Sequence, residues 1–584
     1  MPFQPALFII HLVQKVITSA EMRAIDRLTT ERLAIPSITL MEAAAEAAAI
    51  EIASRFAKNL EGKSVLVLCG PGNNGGDGAS LARKLSLMGA HVDLALFGHF
   101  ENTKGDARTN FEIVRGIVGS SNVGESKSTG HVDVELFTPF SNSAGSLSFY
   151  ECNSEDEMQE FISLNHDIYV DALFGTGLTR PLSGIHLEGA RYLQSLYEAR
   201  TKRPGDADYL IVALDIPSGL NADLAEPIGE AVHADLTVTF TAPKPANVLP
   251  PASEFCGELV VADIGSPRNL IVESPSKLFL IEADDARNWL VRTRYAPDSY
   301  KNMHGHALVI GGSRGMTGAP ALTANAAMIA GAGLVTIATP SSAQTMVAAH
   351  AMPEVMTAAL VETGKGAVSF DAYDQIKKLA ERAGVLAIGP GLTAEDESTR
   401  NVVRALVEER TTPVVIDADG LNSLAPWPDD LRGSIELPLI LTPHQGEMLR
   451  LLGTNDKEAL LDRVTAARDF ATKFQLILVL KGTRTLTASP DGRVFVNPTG
   501  NAGLGTAGAG DTLTGVITGF VAQEFGTMRD ERDALMAVVA AIYTSGMAGD
   551  LAAREQGMRA MVASDIRRHL SAAIRALDPE GEMP

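Results

Sequence analysis

Short apolar runs recur along the chain, each followed within two residues by a glycine or an acid. In the first half they are Ser64-Val65-Leu66-Val67-Leu68, Ile168-Tyr169-Val170, Ile211-Val212-Ala213-Leu214 and Glu258 to Ala262. In the second half they include Ala307-Leu308-Val309-Ile310, Val385-Leu386-Ala387-Ile388 and Leu476-Ile477-Leu478-Val479-Leu480. Runs of this length read as strands of a parallel sheet covered on both faces. Between them the spacing turns helical, as at Leu81, Leu85 and Met88 and in the alanine-rich stretch from Ala319 to Ala330. Strand and helix in alternation predict an α/β protein built of three-layer αβα sandwiches.

The 584 residues exceed what one core accommodates and suit two large domains. Turn formers cluster from Ile264-Gly265-Ser266-Pro267 through Ser274-Pro275-Ser276, which sets the expected boundaries at 1–270 and 271–584. The Ser/Asn/Gly-rich stretch from Ser120 to Gly145 reads as an enlarged surface loop. Phe8 to Val13 is apolar but short and has no basic residues before it, so it makes a poor secretion signal and is read as a short strand or loose arm.

With 49 Lys and Arg against 71 Asp and Glu, the net charge of −22 opposes any sequence-independent grip on nucleic acid. Three scattered cysteines supply neither a disulfide framework nor a zinc site and predict a reducing, cytoplasmic setting. No run reaches the roughly 18–20 apolar residues of a membrane span, so no membrane partner is expected. Lys244, in Thr241-Ala242-Pro243-Lys244-Pro245, is read as solvated in preference to facing a site.

The densest chemistry lies at Asn501-Ala502-Gly503-Leu504-Gly505-Thr506-Ala507-Gly508-Ala509-Gly510-Asp511. Glycines at a helix start expose backbone N–H groups to an anion, and the helix dipole adds roughly half a unit of positive charge. Asp511 would repel a phosphate there unless it does chemistry, so it reads as a base for a hydroxyl meeting a phosphoryl group. The ordinary alternative is a glycine-capped helix with an exposed aspartate. Three further turns close apolar runs: Gly389-Pro390-Gly391, Thr442-Pro443-His444-Gln445-Gly446-Glu447 and Lys481-Gly482-Thr483-Arg484-Thr485. In an open α/β sheet such turns line one cleft. In order and spacing they resemble the NAD(P)H-hydrate dehydratase branch of the ribokinase-like superfamily, over about residues 280–570. The resemblance implies that Lys481, Gly482, Thr483, Arg484, Thr485 and Gly510 contact a nucleotide. It further implies that Ala319, Gly391, His444 and Asp511 contact the hydrate. Read without it, His444 is equally a strand-end histidine satisfied by backbone.

In the first half, Ser64 to Leu68 runs into Cys69-Gly70-Pro71-Gly72-Asn73-Asn74-Gly75-Gly76-Asp77-Gly78, which reads as strand, glycine loop, helix. Its amide and carboxylate oxygens suggest a cation as well as a ligand. Asp171 and Asp215 end two later strands, each before a glycine turn. Either alone is as readily a turn or cap residue. The NNGGDG, DALFGTGL and DIPSGL segments resemble the NAD(P)H-hydrate epimerase family, with a Rossmann-like fold. One departure is Met41-Glu42-Ala43-Ala44-Ala45, where Ala45 replaces a usual glycine and puts local helix packing in question. The resemblance implies potassium on Asn74, Asp171 and Ser218. It implies substrate contact at Asn73, Asn74, Gly75, Gly76 and Asp77, at Gly175, Thr176, Gly177, Leu178, Thr179, Arg180 and Pro181, and at Asp215. Asp215, or less so Asp77, is the candidate acid or base.

Both halves together resemble the bifunctional NAD(P)H-hydrate repair enzymes. That implies interconversion of the R and S epimers of NADHX and NADPHX by the first domain. The second domain would dehydrate the S epimer with ADP and Mg²⁺, yielding AMP and phosphate, and the relation to other dehydratases implies a homo-oligomer. The alternative is a small-molecule kinase of the ribokinase or hydroxymethylpyrimidine type carrying an N-terminal nucleotide-binding module.

Overall fold

The computed structural model describes residues 14–119, 137–141, 145–162, 165–202, 208–527 and 532–582. The arm at Phe8 to Val13 lies outside the described residues. Residues 15–276 form one compact unit, and residues 277–584 with Gln14 form another.

The first unit contains an eight-stranded sheet in the order Phe137–Ser141, Ser146–Cys152, His91–Phe97, Ser64–Cys69, Ile168–Ala172, Leu210–Leu214, Leu236–Phe240, Glu258–Ala262. Every pairing is parallel except that between the first two strands. Side-chain alternation explains the unbroken apolar runs. Val65 and Val67 pack with residues of helices Ser37–Ser54, Asn73–Leu87 and Gly105–Gly119, while Leu66 and Leu68 pack with helix Ile185–Lys202 on the other face. Ala45 is fully buried within an uninterrupted helix, so the methyl is accommodated. The stretch expected to be one surface loop contains the antiparallel strand Phe137–Ser141. Edge pairing supplied a strand that local periodicity did not signal, and the rest of that stretch up to residue 136 lies outside the described residues.

In the second unit, from Leu278 onward, the strand order is Leu278–Leu280, Val494–Val496, Leu486–Ala488, Ile477–Leu480, Leu439–Leu441, Val414–Ile416, Val385–Ile388, His306–Ile310, Leu334–Pro340, Met356–Leu360. Leu486–Ala488 is antiparallel to both its neighbours. Ala307, Val309, Val385 and Ala387 face an apolar cluster drawn from helices Gly318–Ile329, Ala509–Thr527, Ala534–Gln556 and Ala563–Leu577. Leu308, Ile310, Leu386 and Ile388, on the opposite face, are also buried. Helix Ala534–Gln556 is long and apolar enough to cross a bilayer by length and composition, contrary to the expectation that no run qualifies. Its apolar surface is spent on the core: 72% of its most apolar window is buried inside the unit.

Candidate active sites

In the first unit, only Gly70, Pro71 and Gly72 separate strand Ser64–Cys69 from helix Asn73–Leu87. The expected glycine loop is therefore mostly helix, and Asn74 to Asp77 lie in its first turns. Close packing is the reason. A Cβ on Gly75 would sit 1.7 Å from the carbonyl oxygen of Gly70, and one on Gly78 would sit 2.6 Å from Cys69 Sγ. The glycines let the helix start press onto the strand end, which turns Asn73, Asn74 and Asp77 toward a cavity of about 450 Å³.

Gly175, Thr176, Gly177 and Asp215 line the same cavity. A Cβ on Gly175 would be 3.2 Å from Asp215 Oδ2 and 3.3 Å from Asn74 Oδ1, so these two oxygens flank one glycine. Asp215 has φ 65°, a left-handed conformation that costs a non-glycine residue about 1–3 kcal/mol. It is held there by its backbone N–H, which donates to Val238 O at 2.8 Å, and by Asn247 Nδ2, which donates to its carbonyl at 3.3 Å.

Lys244 corrects the sequence reading. It is 1% exposed, and its Nζ donates to Asp215 Oδ1 at 2.6 Å, Thr239 Oγ1 at 2.9 Å and Phe240 O at 3.0 Å. Three acceptors satisfy the ammonium, which is what allows a lysine so deep. Leu178 to Pro181, also expected to contact substrate, are not among the residues lining the cavity, and Thr179, Arg180 and Pro181 are exposed. The chain dives at Leu178, which is 7% exposed and packs in the apolar cluster beneath helix Ile185–Lys202.

Asp171 and Ser218 lie behind the cavity wall and bind each other. Ser218 donates through N to Asp171 Oδ2 at 2.7 Å and through Oγ to Oδ1 at 2.6 Å, and Leu173 N donates to Oδ1 at 3.2 Å. Burial pushes the Asp171 carboxyl up to about 6 against these hydrogen bonds. Asn74 is buried, and neither its Oδ1 nor its Nδ2 has a partner. Burial, with repulsion from Asp215 and Asp26, holds Asp77 well above the usual carboxylate range, with Lys244 opposing. Asp26, which sequence reasoning passed over, is pushed up to about 6 by burial, with Lys244 opposing and Asp215 adding.

In the second unit, Gly508 at φ 83° turns the chain into helix Ala509–Thr527, and Asp511 falls in its first turn. Burial and repulsion from Asp417 raise its carboxyl to about 6, Lys481 opposes, and Asp419 and Glu447 add to the rise. Lys481 Nζ donates to Asp417 Oδ1 at 2.7 Å and lies 3.9 Å from Glu447. Burial disfavours its charge, but Asp417 and Glu447 outweigh that and hold the ammonium above its ordinary value. The other oxygen of Asp417 accepts from Thr514 Oγ1 at 2.8 Å, and a Cβ on Gly510 would be 3.4 Å from Lys481 Nζ. Lysine loop and glycine helix thus meet at one carboxylate.

His444 caps helix Gln445–Leu451. Its Nδ1 accepts from the N–H groups of Gly446 at 3.0 Å and Glu447 at 3.3 Å, while its own N–H donates to Glu447 Oε2 at 2.8 Å. Those bonds place the neutral ring's proton on Nε2, on a side chain that is 56% exposed. Lys481 N donates to Pro443 O at 2.8 Å, tying this turn to the lysine loop. Within that loop, Arg463 Nη1 donates to Thr483 O, Arg484 Nη1 to Pro498 O and Thr485 Oγ1 to Gly482 O. Gly391 has φ 71°, and a Cβ there would be 2.8 Å from Met316 O and 3.4 Å from the Ala319 methyl. Two expected substrate contacts are therefore neighbours. Beside them opens a groove of about 1130 Å³ lined in part by Met316, Thr393, Asp419 and Arg450.

Asp417 had a sequence signal, since Val414-Val415-Ile416-Asp417-Ala418-Asp419-Gly420 repeats the apolar run, acid and glycine seen at Asp171 and Asp215. Asp26 had none, because a single aspartate in an amphipathic helix looks like any solvated residue.

Residues 37–246 match the family described as YjeF-related protein N-terminus, and residues 307–572 match the one described as NAD(P)H-hydrate dehydratase. A relative named bifunctional NAD(P)H-hydrate repair enzyme Nnr, from Moorella thermoacetica, is 39% identical over 97% of this chain and 98% of its own. One of the same name from Thermofilum pendens is 35% identical, with 97% and 98% covered. A solved ADP/ATP-dependent NAD(P)H-hydrate dehydratase from Bacillus subtilis, co-crystallized with ATP/Mg²⁺, is 30% identical, covers 49% of this chain and 96% of its own, and has a TM-score of 0.41. With both halves matched in order and relatives alike over nearly the full length, the chain belongs to the family of bifunctional NAD(P)H-hydrate repair enzymes.

Proposed function

We propose that the chain restores hydrated NADH and NADPH in two steps, one in each unit. Residues 15–276 interconvert the R and S epimers at the hydrated carbon, and residues 277–584 dehydrate the S epimer at the expense of ADP. The observation that carries the reading is the carboxylate of Asp511, in the first turn of a glycine-initiated helix, with the half-buried Lys481 ammonium close enough to oppose its rise.

Hydroxide is a poor leaving group at neutral pH and phosphate is a better one. Asp511 takes the proton of the substrate hydroxyl as that oxygen attacks the β-phosphoryl group of ADP, and AMP leaves. Loss of phosphate, with the neighbouring C–H proton, then restores the dihydropyridine double bond. Lys481 and the N–H groups at Gly510 offset the charge of the transferring group, and Mg²⁺, when bound, neutralises further phosphate charge. His444, Gly391 and Ala319 hold the hydrated ring, with the exposed His444 Nε2–H, 3.6 Å from Glu447 Oε1, turning to donate to it.

In the first unit, Asp215 acts on the substrate while Asn73, Asn74, Asp77 and the Gly175–Gly177 turn hold it. Potassium fits Asn74, Asp171 and Ser218. All three offer oxygen donors, and the partnerless buried amide of Asn74 is an unmet polar group of the kind a cation answers. The ion would supply charge neutralisation for bound phosphate or carboxamide.

The test uses purified full-length chain and mixed epimers with ADP, followed by recovery of reduced-nicotinamide absorbance and by phosphorus NMR. The expected products are free phosphate, AMP and full consumption of both epimers. A stable phosphorylated substrate would instead mark a kinase, and consumption of only one epimer would remove the epimerase assignment.

A further inference from the structure

We propose that Asp26 is a second proton-transfer residue of the epimerase cavity, which it lines from helix Ser19–Leu33, a different wall element from those carrying the Asp215–Lys244 pair. The inference rests on the epimerase reading above.

Asp26 belongs to helix Ser19–Leu33, which stands outside the sheet. Its start is pinned firmly. Thr18 and Glu21 cap it reciprocally, and Asp223, from the loops beyond strand Leu210–Leu214, accepts from Ser19 N and from Ser19 Oγ at 2.6 Å each. Met22 and Asp26, one turn apart, therefore present one fixed face to the cavity that Asn73, Asp77, Asp215 and Lys244 line from the sheet side.

The chemistry asks for acid–base groups on two walls. Hydrated at C6, the ring carries a hydroxyl on the carbon bonded to N1, and the epimers place that hydroxyl on opposite ring faces. A base takes the O–H proton, N1 accepts a proton, the N1–C6 bond breaks and C6 becomes an aldehyde. Rotation about C5–C6 then lets N1 add to the other carbonyl face, giving up its proton while the new hydroxyl gains one. Atoms and electrons balance, and no co-reactant is needed. A carboxylate fixed on one wall reaches the hydroxyl of one epimer only, so the reverse direction needs a partner on the other wall.

Four acids line the cavity, Asp26, Asp77, Asp106 and Asp215, and Asp215 is already ion-paired to Lys244. Burial, with Asp215 and Asp26, pushes the Asp77 carboxyl well above the usual carboxylate range. Asp26 interacts with Lys244, Asp215 and Asp77, Arg23 three residues earlier on its helix lines the same cavity, and the Asp26 carboxyl is pushed up to about 6, where a carboxyl both gives and accepts protons at neutral pH.

The experiment compares full-length chain with its Asp26→Asn and Asp26→Glu variants, converting each purified epimer without ADP and assayed by chromatography from pH 5 to 8. Asp26→Asn is expected to lower kcat of epimerisation at least 100-fold with KM within threefold, and to abolish the inflection near pH 6. Asp26→Glu is expected to recover much of the rate together with that inflection, which also excludes misfolding as the cause. Epimerisation by Asp26→Asn within threefold of the parent, or a raised KM with unchanged kcat, would overturn the proposal. Absence of epimerisation by the parent chain would instead overturn the epimerase reading itself.

Discussion

Replacing Lys244 by Met tests whether the buried pair with Asp215 holds the first unit together. Methionine keeps most of the apolar stem, so little cavity is left and the loss falls on the charge. The Lys244 side chain is 1% exposed and Asp215 13%. Removing one partner of a buried pair costs about 3–5 kcal/mol, because the remaining charge is left without compensation. Asp215 would keep one side-chain donor, Thr239 Oγ1 at 3.0 Å, while still facing Asp77 and Asp26. For a unit of this size each kcal/mol lowers Tm by about 2–4 °C, so a fall of about 6–20 °C is expected. Calorimetry of the full chain measures it, and retained dehydration of the S epimer after mild heating controls for the second unit. Adding Asp215→Asn removes the orphaned charge and should restore at least half of the lost Tm. A fall under about 2 °C in Lys244→Met, or no recovery in the double variant, would refute the reasoning.

Asp511→Ala should lower ADP-dependent dehydration by about 10²–10⁴-fold, the usual worth of a positioned base, and leave epimerisation untouched; unchanged turnover would remove its role. Because its carboxyl is raised to about 6 and must be ionised to accept a proton, the single-turnover dehydration rate should fall about tenfold per unit below pH 6 and level off above 7; a flat profile from pH 5 to 7 contradicts this. Asn74→Ala should weaken potassium activation of epimerisation, read as a rightward shift of the potassium titration, and an unmoved midpoint would take the ion elsewhere. Asp417→Asn should raise KM for ADP more than it changes the high-pH kcat, because it releases Lys481, while loss of its repulsion lets the Asp511 carboxyl fall back toward its ordinary value and moves the pH profile down; a change in the high-pH kcat alone would count against it.

Much of this arrangement was legible because strand ends announce themselves. Asp171, Asp215 and Lys481 each follow an apolar run, and a parallel sheet gathers such ends at one edge, so residues far apart in sequence become neighbours by rule. Asp417 obeyed the same rule and was simply not picked out. What escaped depended on tertiary packing. Whether Lys244 is solvated or buried turns on Thr239, Phe240 and Asp215 surrounding it, and no local pattern encodes that. The start of helix Asn73–Leu87 was misread because its glycines look like loop formers, whereas the contact with Gly70 makes them packing residues. Strand Phe137–Ser141 is short and is paired only at the sheet edge, where partner choice outweighs propensity.

Asp417 grips Lys481 with one oxygen and Thr514 with the other. The ammonium is thereby aimed before any nucleotide arrives, and its rotamer freedom is already spent in the folded chain. Association of ADP should therefore carry the calorimetric signature of docking onto a rigid surface: a heat-capacity change matching the ligand's own buried area, with no added increment from ordering protein.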